Sequence, residues 1–196
     1  MADFPPSTGL RADADASAAR GERLRLATVW LGGCSGCHMS FLDLDERLLT
    51  LAARVDLVYG PLADAKAFPA QVDVTLVEGA VATADHLELI RTVRARTRVL
   101  VAFGDCAVTG NVTAMRNPLG TAAVLQRAYV ETASAGTGPP EDALVPALLA
   151  RVVPVHQVVP VDVWVPGCPP SADVIHAVLT DLLAGRPPAT GGLRFG

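Results

Sequence analysis

Four cysteines, Cys34, Cys37, Cys106 and Cys168, are the residues of this chain whose type and placement could do chemistry. Three follow a glycine directly, in Gly33-Cys34, Gly36-Cys37 and Gly167-Cys168, and Cys106 follows Gly104-Asp105. Each group comes just after a short apolar run, where a strand would end. Four thiolates gathered at one sheet edge can wrap a metal centre, and glycine lets backbone approach such a centre closely. An iron–sulfur cluster is therefore the first expectation. A four-cysteine zinc site is its competitor, since zinc also takes four thiolates. Structural zinc ligands usually come as two close pairs, whereas here one Cys-x-x-Cys pair stands with two separated singles. A thioredoxin-like use of Cys34 and Cys37 would leave the other two without a task.

Other side chains stand near these groups. Glu78 ends the apolar run Val72 to Val77, and a carboxylate there either relays protons or sits ion-paired at the surface. His38 adjoins Cys37 and is read as a contact to a partner or as a hydrogen-bond partner of a cluster sulfur. Asp105 is expected to cap the turn that carries Cys106. His86, His156 and His176 are read as solvated or core residues, and Trp30 as packing. The segment from Gly32 to His38 lacks the hydroxyl- and amide-rich character of a phosphate cradle, so nucleotide binding there is not expected.

The elements that must position these residues are legible as alternating apolar runs. Residues 24–31, 55–59, 72–77, 99–103 and 161–165 read as five strands, each apolar and closed by Gly, Pro or a cysteine loop. Between them the spacing predicts helices after Cys37, over 84–96 opened by Thr83, from Asn117 to about 130, over 142–151, and from Ser171 or Asp173 to 183. Short apolar strands alternating with helices imply an α/β, doubly wound parallel sheet of flavodoxin-like type. In such a sheet the loops at the carboxyl ends of the strands share one crest, where ligands bind. The first, fourth and fifth strands would deliver cysteine to it, and the third would deliver Glu78. The cluster is thus expected at the carboxyl ends of the strands.

The chain has 196 residues, enough for one domain, and is 51% hydrophobic but only 18% charged. That apolar surplus points either to surface that meets a partner subunit or to a large, well-buried core. No run of about 18 apolar residues is present, so no membrane span is expected. A formal net charge of −4, with no Lys/Arg cluster interleaved with aromatics, argues against nucleic acid. Residues 1–22 read as a flexible N-terminal arm, 23–185 as the cluster domain and 186–196 as a C-terminal tail. The arm has neither an Arg-Arg pair nor a signal-length apolar stretch, so a cytoplasmic location is expected.

The motifs together carry a family resemblance. The run from Leu31-Gly32-Gly33-Cys34-Ser35-Gly36-Cys37-His38-Met39-Ser40, with Val77-Glu78-Gly79, Gly104-Asp105-Cys106-Ala107 and Pro166-Gly167-Cys168-Pro169-Pro170, resembles the small subunits of [NiFe] hydrogenases. The likeness is strongest to the cytoplasmic NAD-reducing soluble group and covers about residues 24–185. The resemblance implies one proximal [4Fe-4S] cluster held by Cys34, Cys37, Cys106 and Cys168, with no ligands for further clusters after Cys168. It also implies an electron-transfer subunit that is not catalytic alone. Its partners would be a [NiFe] hydrogenase large subunit carrying the [NiFe] centre, and diaphorase subunits with iron–sulfur clusters, FMN and the NAD site. Glu78 would be a proton relay near the subunit interface. The alternatives are the cluster subunit of a complex I-like or F420-linked oxidoreductase, and a zinc interaction module built on the four cysteines. The complex I relative starts its site with adjacent cysteines, whereas Ser35-Gly36 separates Cys34 from Cys37 here.

Overall fold

The computed structural model describes residues 23–134, 138 and 145–196, so the arm over 1–22 lies outside the described residues. The first half runs β1 (Leu24–Trp30), α1 (Gly36–Leu42), α2 (Arg47–Ala52), β2 (Val55–Tyr59), β3 (Val72–Glu78), β4 (Val81–Thr83) and α3 (Ala84–Arg96). The second half runs β5 (Thr97–Phe103), α4 (Asp105–Thr109), α5 (Asn111–Ala114), α6 (Thr121–Gln126), β6 (Leu148–Val153), β7 (Val163–Val165) and α7 (Ala172–Leu183). Five strands form one parallel sheet in the order β2-β1-β3-β5-β7. That is the doubly wound, flavodoxin-like order with its switch point between β1 and β3.

The sheet forms because its strands are apolar on both faces. In β5, Val99, Val101 and Phe103 point to one side and Leu100 and Ala102 to the other, all 3% exposed or less. One face packs against Ile175, Val178, Leu179 and Leu182 of α7 together with Leu44 and Leu51. The other packs against Ile90 and Val93 of α3 and Val155, Val159 and Val161. Thr83 caps α3, its hydroxyl accepting from the His86 N–H at 3.2 Å. Ser171 does the same for α7, accepting from the Val174 N–H at 3.4 Å. Both caps supply an acceptor to an otherwise orphan amide.

Two local expectations are corrected and a third, the helical stretch after Cys37, is refined. Residues 148–153, expected within a helix over 142–151, form strand β6, which pairs antiparallel with β4, Val81 opposite Val153 and Thr83 opposite Leu148. Residues 142–144 of that expectation lie outside the described residues. Asn117 does not open a helix. Its side chain is held instead by β6, Nδ2 donating to the Val152 carbonyl at 2.8 Å and Oδ1 accepting from the Val152 N–H at 2.7 Å, and α6 begins only at Thr121. The stretch after Cys37 is two short helices, broken by Asp45 at φ 50°.

Candidate metal centre

Register levels the crest. Trp30 lies opposite Glu78, Glu78 opposite Phe103, and Phe103 opposite Val165, so four strands end in one row. Beyond that row the sequence places Cys34 after Trp30, Gly79 after Glu78, Cys106 after Phe103 and Cys168 after Val165. The first loop is fastened to the third strand's exit by paired bonds between Gly32 and Ala80, at 2.9 and 2.8 Å. Ser35, at φ 66°, turns the chain into α1. Cys37 is thereby pointed inward and is 7% exposed, while Cys34 and Cys168 are exposed and Cys106 is half-buried.

The four thiols feel one another. Burial pushes the Cys37 thiol strongly up, and Glu78 and then Cys106, Cys34 and Cys168 add to that shift. Burial also pushes Cys106 up, with Cys34 and Cys168 contributing, while hydrogen bonds from Thr113 oppose the shift. A cationic metal centre is what reverses such a shift and holds thiolates ionised. Among the described residues, no three Cys, His, Asp or Glu side chains are grouped to hold a single metal ion. The four thiols lie close enough to raise one another's cost of ionising, and four soft sulfur donors so gathered suit an iron–sulfur cluster.

The backbone makes room for the sulfurs. Gly104 has φ +84°, and a Cβ there would lie 2.1 Å from the Cys37 sulfur; no other residue type fits without moving that cysteine. Besides the Thr113 bonds to Cys106, N–H groups point at sulfur from Gly36, at 3.4 Å from Cys34 Sγ, and from the Asn111 side-chain amide, at 3.5 Å from Cys168 Sγ. Thr113 donates its hydroxyl to the Gly32 carbonyl at 2.8 Å, tying the Cys106 segment to the first loop. Sequence reasoning misses Asn111 and Thr113; the only signal for them is their polarity just after Cys106.

Asp105 does more than cap a turn. It is 3% exposed; Oδ1 accepts from the Gly167 N–H at 2.6 Å and Oδ2 from the Gly196 N–H at 2.8 Å. Glu78 is not a surface group, being 1% exposed. Its Oε2 accepts from the His38 N–H at 2.9 Å and also pairs with His38 Nδ1. His38 Nε2 is buried with no partner among the described residues, and its ring lies 6.2 Å from that of half-exposed Trp30. Two of the remaining histidines have their own contacts outside this cluster. His86 Nδ1 accepts from the Ala82 N–H at 3.3 Å, and His156 lies 5.1 Å from Trp164. His176 sits on α7, the helix that packs against the sheet.

The comparisons with known proteins agree with this fold. Residues 34–182 match the family of the NADH ubiquinone oxidoreductase 20 kDa subunit. The chain is 41% identical to the NAD-reducing hydrogenase HoxS subunit delta of Cupriavidus necator, over 87% of this chain and 84% of that protein. It is 37% identical to a subunit of the F420-non-reducing hydrogenase of Methanothermobacter marburgensis, over 84% of this chain but only 55% of that protein. A crystal structure of NAD+-reducing [NiFe]-hydrogenase in the H2-reduced state contains a chain of the same fold. It superposes with a TM-score of 0.85 at 42% identity, covering 89% of this chain and 100% of that one.

Proposed function

Because the chain belongs to the family of the NADH ubiquinone oxidoreductase 20 kDa subunit, we propose that it is the electron-transfer small subunit of an NAD-reducing [NiFe] hydrogenase. It would be a non-catalytic part of a hydrogen:NAD oxidoreductase. The observation that supports this reading is that three loops leaving the carboxyl edge of one parallel sheet carry four cysteines whose thiols act on one another electrostatically. Cys34, Cys37, Cys106 and Cys168 would hold one [4Fe-4S] cluster, which supplies one-electron redox chemistry. The higher identity to the HoxS delta relative, 41% against 37% for the F420-non-reducing one, favours the NAD-linked form.

This chain's own residues set the conditions around the sulfurs. The Gly36 and Asn111 N–H groups offer hydrogen bonds to Cys34 and Cys168, which tune a potential upward. Glu78 fixes the loop between Cys34 and His38 by accepting from its backbone. Buried Glu78 and partly buried His38, beside half-exposed Trp30, would hold a proton or pass it toward the surface. The partner that covers this face would be the [NiFe] large subunit. Trp30, Met39 and Leu42 expose apolar surface there, beside a small cleft of about 80 Å³ lined by His38, Phe41, Leu57 and Leu62. FMN, further clusters and the NAD site would belong to diaphorase subunits, and the assembly would be cytoplasmic. No helix among the described residues is long and apolar enough to cross a membrane.

Iron, acid-labile sulfide and EPR of the anaerobically purified complex test the reading. About four irons and four sulfides on this subunit, with a reducible signal, are expected. Alanine at any one of the four cysteines is expected to lose or convert the cluster. One zinc without sulfide, or wild-type iron in an alanine variant, would overturn the assignment.

A further inference from the structure

The segment after α7 returns to the crest. Arg186 anchors its start, pairing with Asp181 at 2.6 Å while its N–H donates to the Asp181 carbonyl at 2.8 Å. Leu193 packs against the core on the α7 side of the sheet. Gly196 then lies against Cys168, so closely that a Cβ on it would sit 2.7 Å from both the Cβ and the backbone nitrogen of that cysteine. The other end of the contact is Asp105. One of its oxygens holds Gly167, the residue before Cys168, and the other holds Gly196. The Asp105 N–H in turn donates to the Gly167 carbonyl at 2.9 Å. A single buried carboxylate therefore joins the Cys106 turn, the Cys168 loop and the returning segment.

We infer that Asp105 is a positioning residue that latches residues 186–196 across Cys168, and that this strap governs how firmly the metal centre is retained and how much water reaches it. The inference rests on the proposed cluster. Its physical basis is the need of buried polar groups for partners. A buried carboxylate needs donors, and among the described residues its two oxygens have two backbone amides from opposite sides of one cysteine. Neither amide belongs to a regular helix or strand, so the latch gives both segments a fixed partner. Removing the strap leaves one carboxylate oxygen without its donor and widens the solvent access that exposed Cys168 already has. Groups that orient metal ligands from behind commonly change metal retention by about 10–100-fold. Greater solvent access stabilises the more negative, reduced state of a cluster and raises its potential.

The test uses the assembled complex with three variants of this subunit: deletion of residues 187–196, Gly196→Ala, and Asp105→Asn. Iron release to an excess of chelator is followed by absorbance, and the midpoint potential by EPR-monitored titration. The deletion is expected to release iron about 10-fold faster than wild type and to shift the potential upward. Gly196→Ala is expected to do the same more weakly, because its methyl group pushes the strap away from Cys168 without touching Asp105. Asp105→Asn is expected to exceed both, since an amide cannot accept from both N–H groups. Iron release and potential at wild-type values in the deletion and in Gly196→Ala would overturn the strap, even if Asp105→Asn fails to assemble. Wild-type complex without iron on this subunit would instead overturn the cluster reading beneath it.

Discussion

The two ends of the parallel sheet set their carboxylates in different surroundings. At the amino ends of the strands, aspartates meet arginines: Asp56 with Arg23, Asp73 with Arg98, and Asp162 with Arg94 on the edge beside β7, and Asp73 and Asp162 also accept from the Arg25 and Leu100 N–H groups at 2.9 and 2.7 Å. These pairs are partly or half exposed. At the carboxyl ends, Glu78 and Asp105 are almost wholly buried and accept from backbone N–H groups of cysteine-bearing loops. Among the described residues no arginine pairs with either. The amino end is therefore a solvated charged rim, worth little per pair. The carboxyl end uses its charges to fix loop geometry, where an unmet donor or acceptor costs far more.

Substitutions at the two ends should separate by size. Gly104→Ala is expected to be the most damaging, by about 3 kcal/mol, because it adds a methyl group against the Cys37 sulfur and forces φ +84° on a residue with a Cβ. Thermal unfolding of the assembled complex measures it, and a wild-type midpoint would show that the crest tolerates crowding. Glu78→Gln should follow, at about 1–2 kcal/mol from weakening a charge-assisted bond to His38. If the carboxylate also relays protons, hydrogen oxidation falls while iron content stays at the wild-type level; an unchanged rate removes the relay.

A third prediction concerns acid. Burial lowers the pKa of His86 from its usual 6.5, with Asp85 partly offsetting the effect. The imidazole is thus held neutral while accepting from the Ala82 N–H. A group whose folded pKa is depressed lets the unfolded chain bind more protons as pH falls, so stability is present above about 6.5 and is lost progressively below it. His86→Gln is expected to flatten that loss in denaturation midpoints taken from pH 7.5 to 5; an unaltered slope would refute it. Smallest of all, Asp56→Ala at the charged rim should change stability by about 0–1 kcal/mol, since Arg23 and Asp56 are each about half exposed. A larger effect would erase the contrast between the two ends.

Much of this molecule is legible in the sequence because its signals are local. Apolar runs mark all five strands of the sheet, Thr83 and Ser171 mark two helix starts, and the placement of cysteines just past strand ends marks the crest. What escapes is held by contacts distant in sequence. The ribbon of β4 and β6 forms only when residues 81–83 meet residues 148–153, and LLARVV read alone fits helix or strand. Arg116 then braces it from outside, bonding the carbonyls of Ala82 and Leu149 at 3.1 and 2.8 Å. Likewise Asp105 reaches partners 62 and 91 positions away, and Glu78 one 40 positions away. No window of sequence contains both halves of such a bond.

The level row of strand ends makes the sheet a ruler. Each strand residue advances the chain by about 3.3 Å and reverses the side it faces, so loop length counted from Trp30, Phe103 and Val165 dictates where a sulfur arrives. One residue inserted between Phe103 and Cys106 would displace that sulfur and break the handshake between Asp105 and Gly167, though the core beneath would be untouched. The same insertion at an amino-end loop would move nothing at the crest. This chain can therefore drift in length along one rim while the other stays at fixed measure, a division that lets a redox site outlast large changes in the protein that carries it.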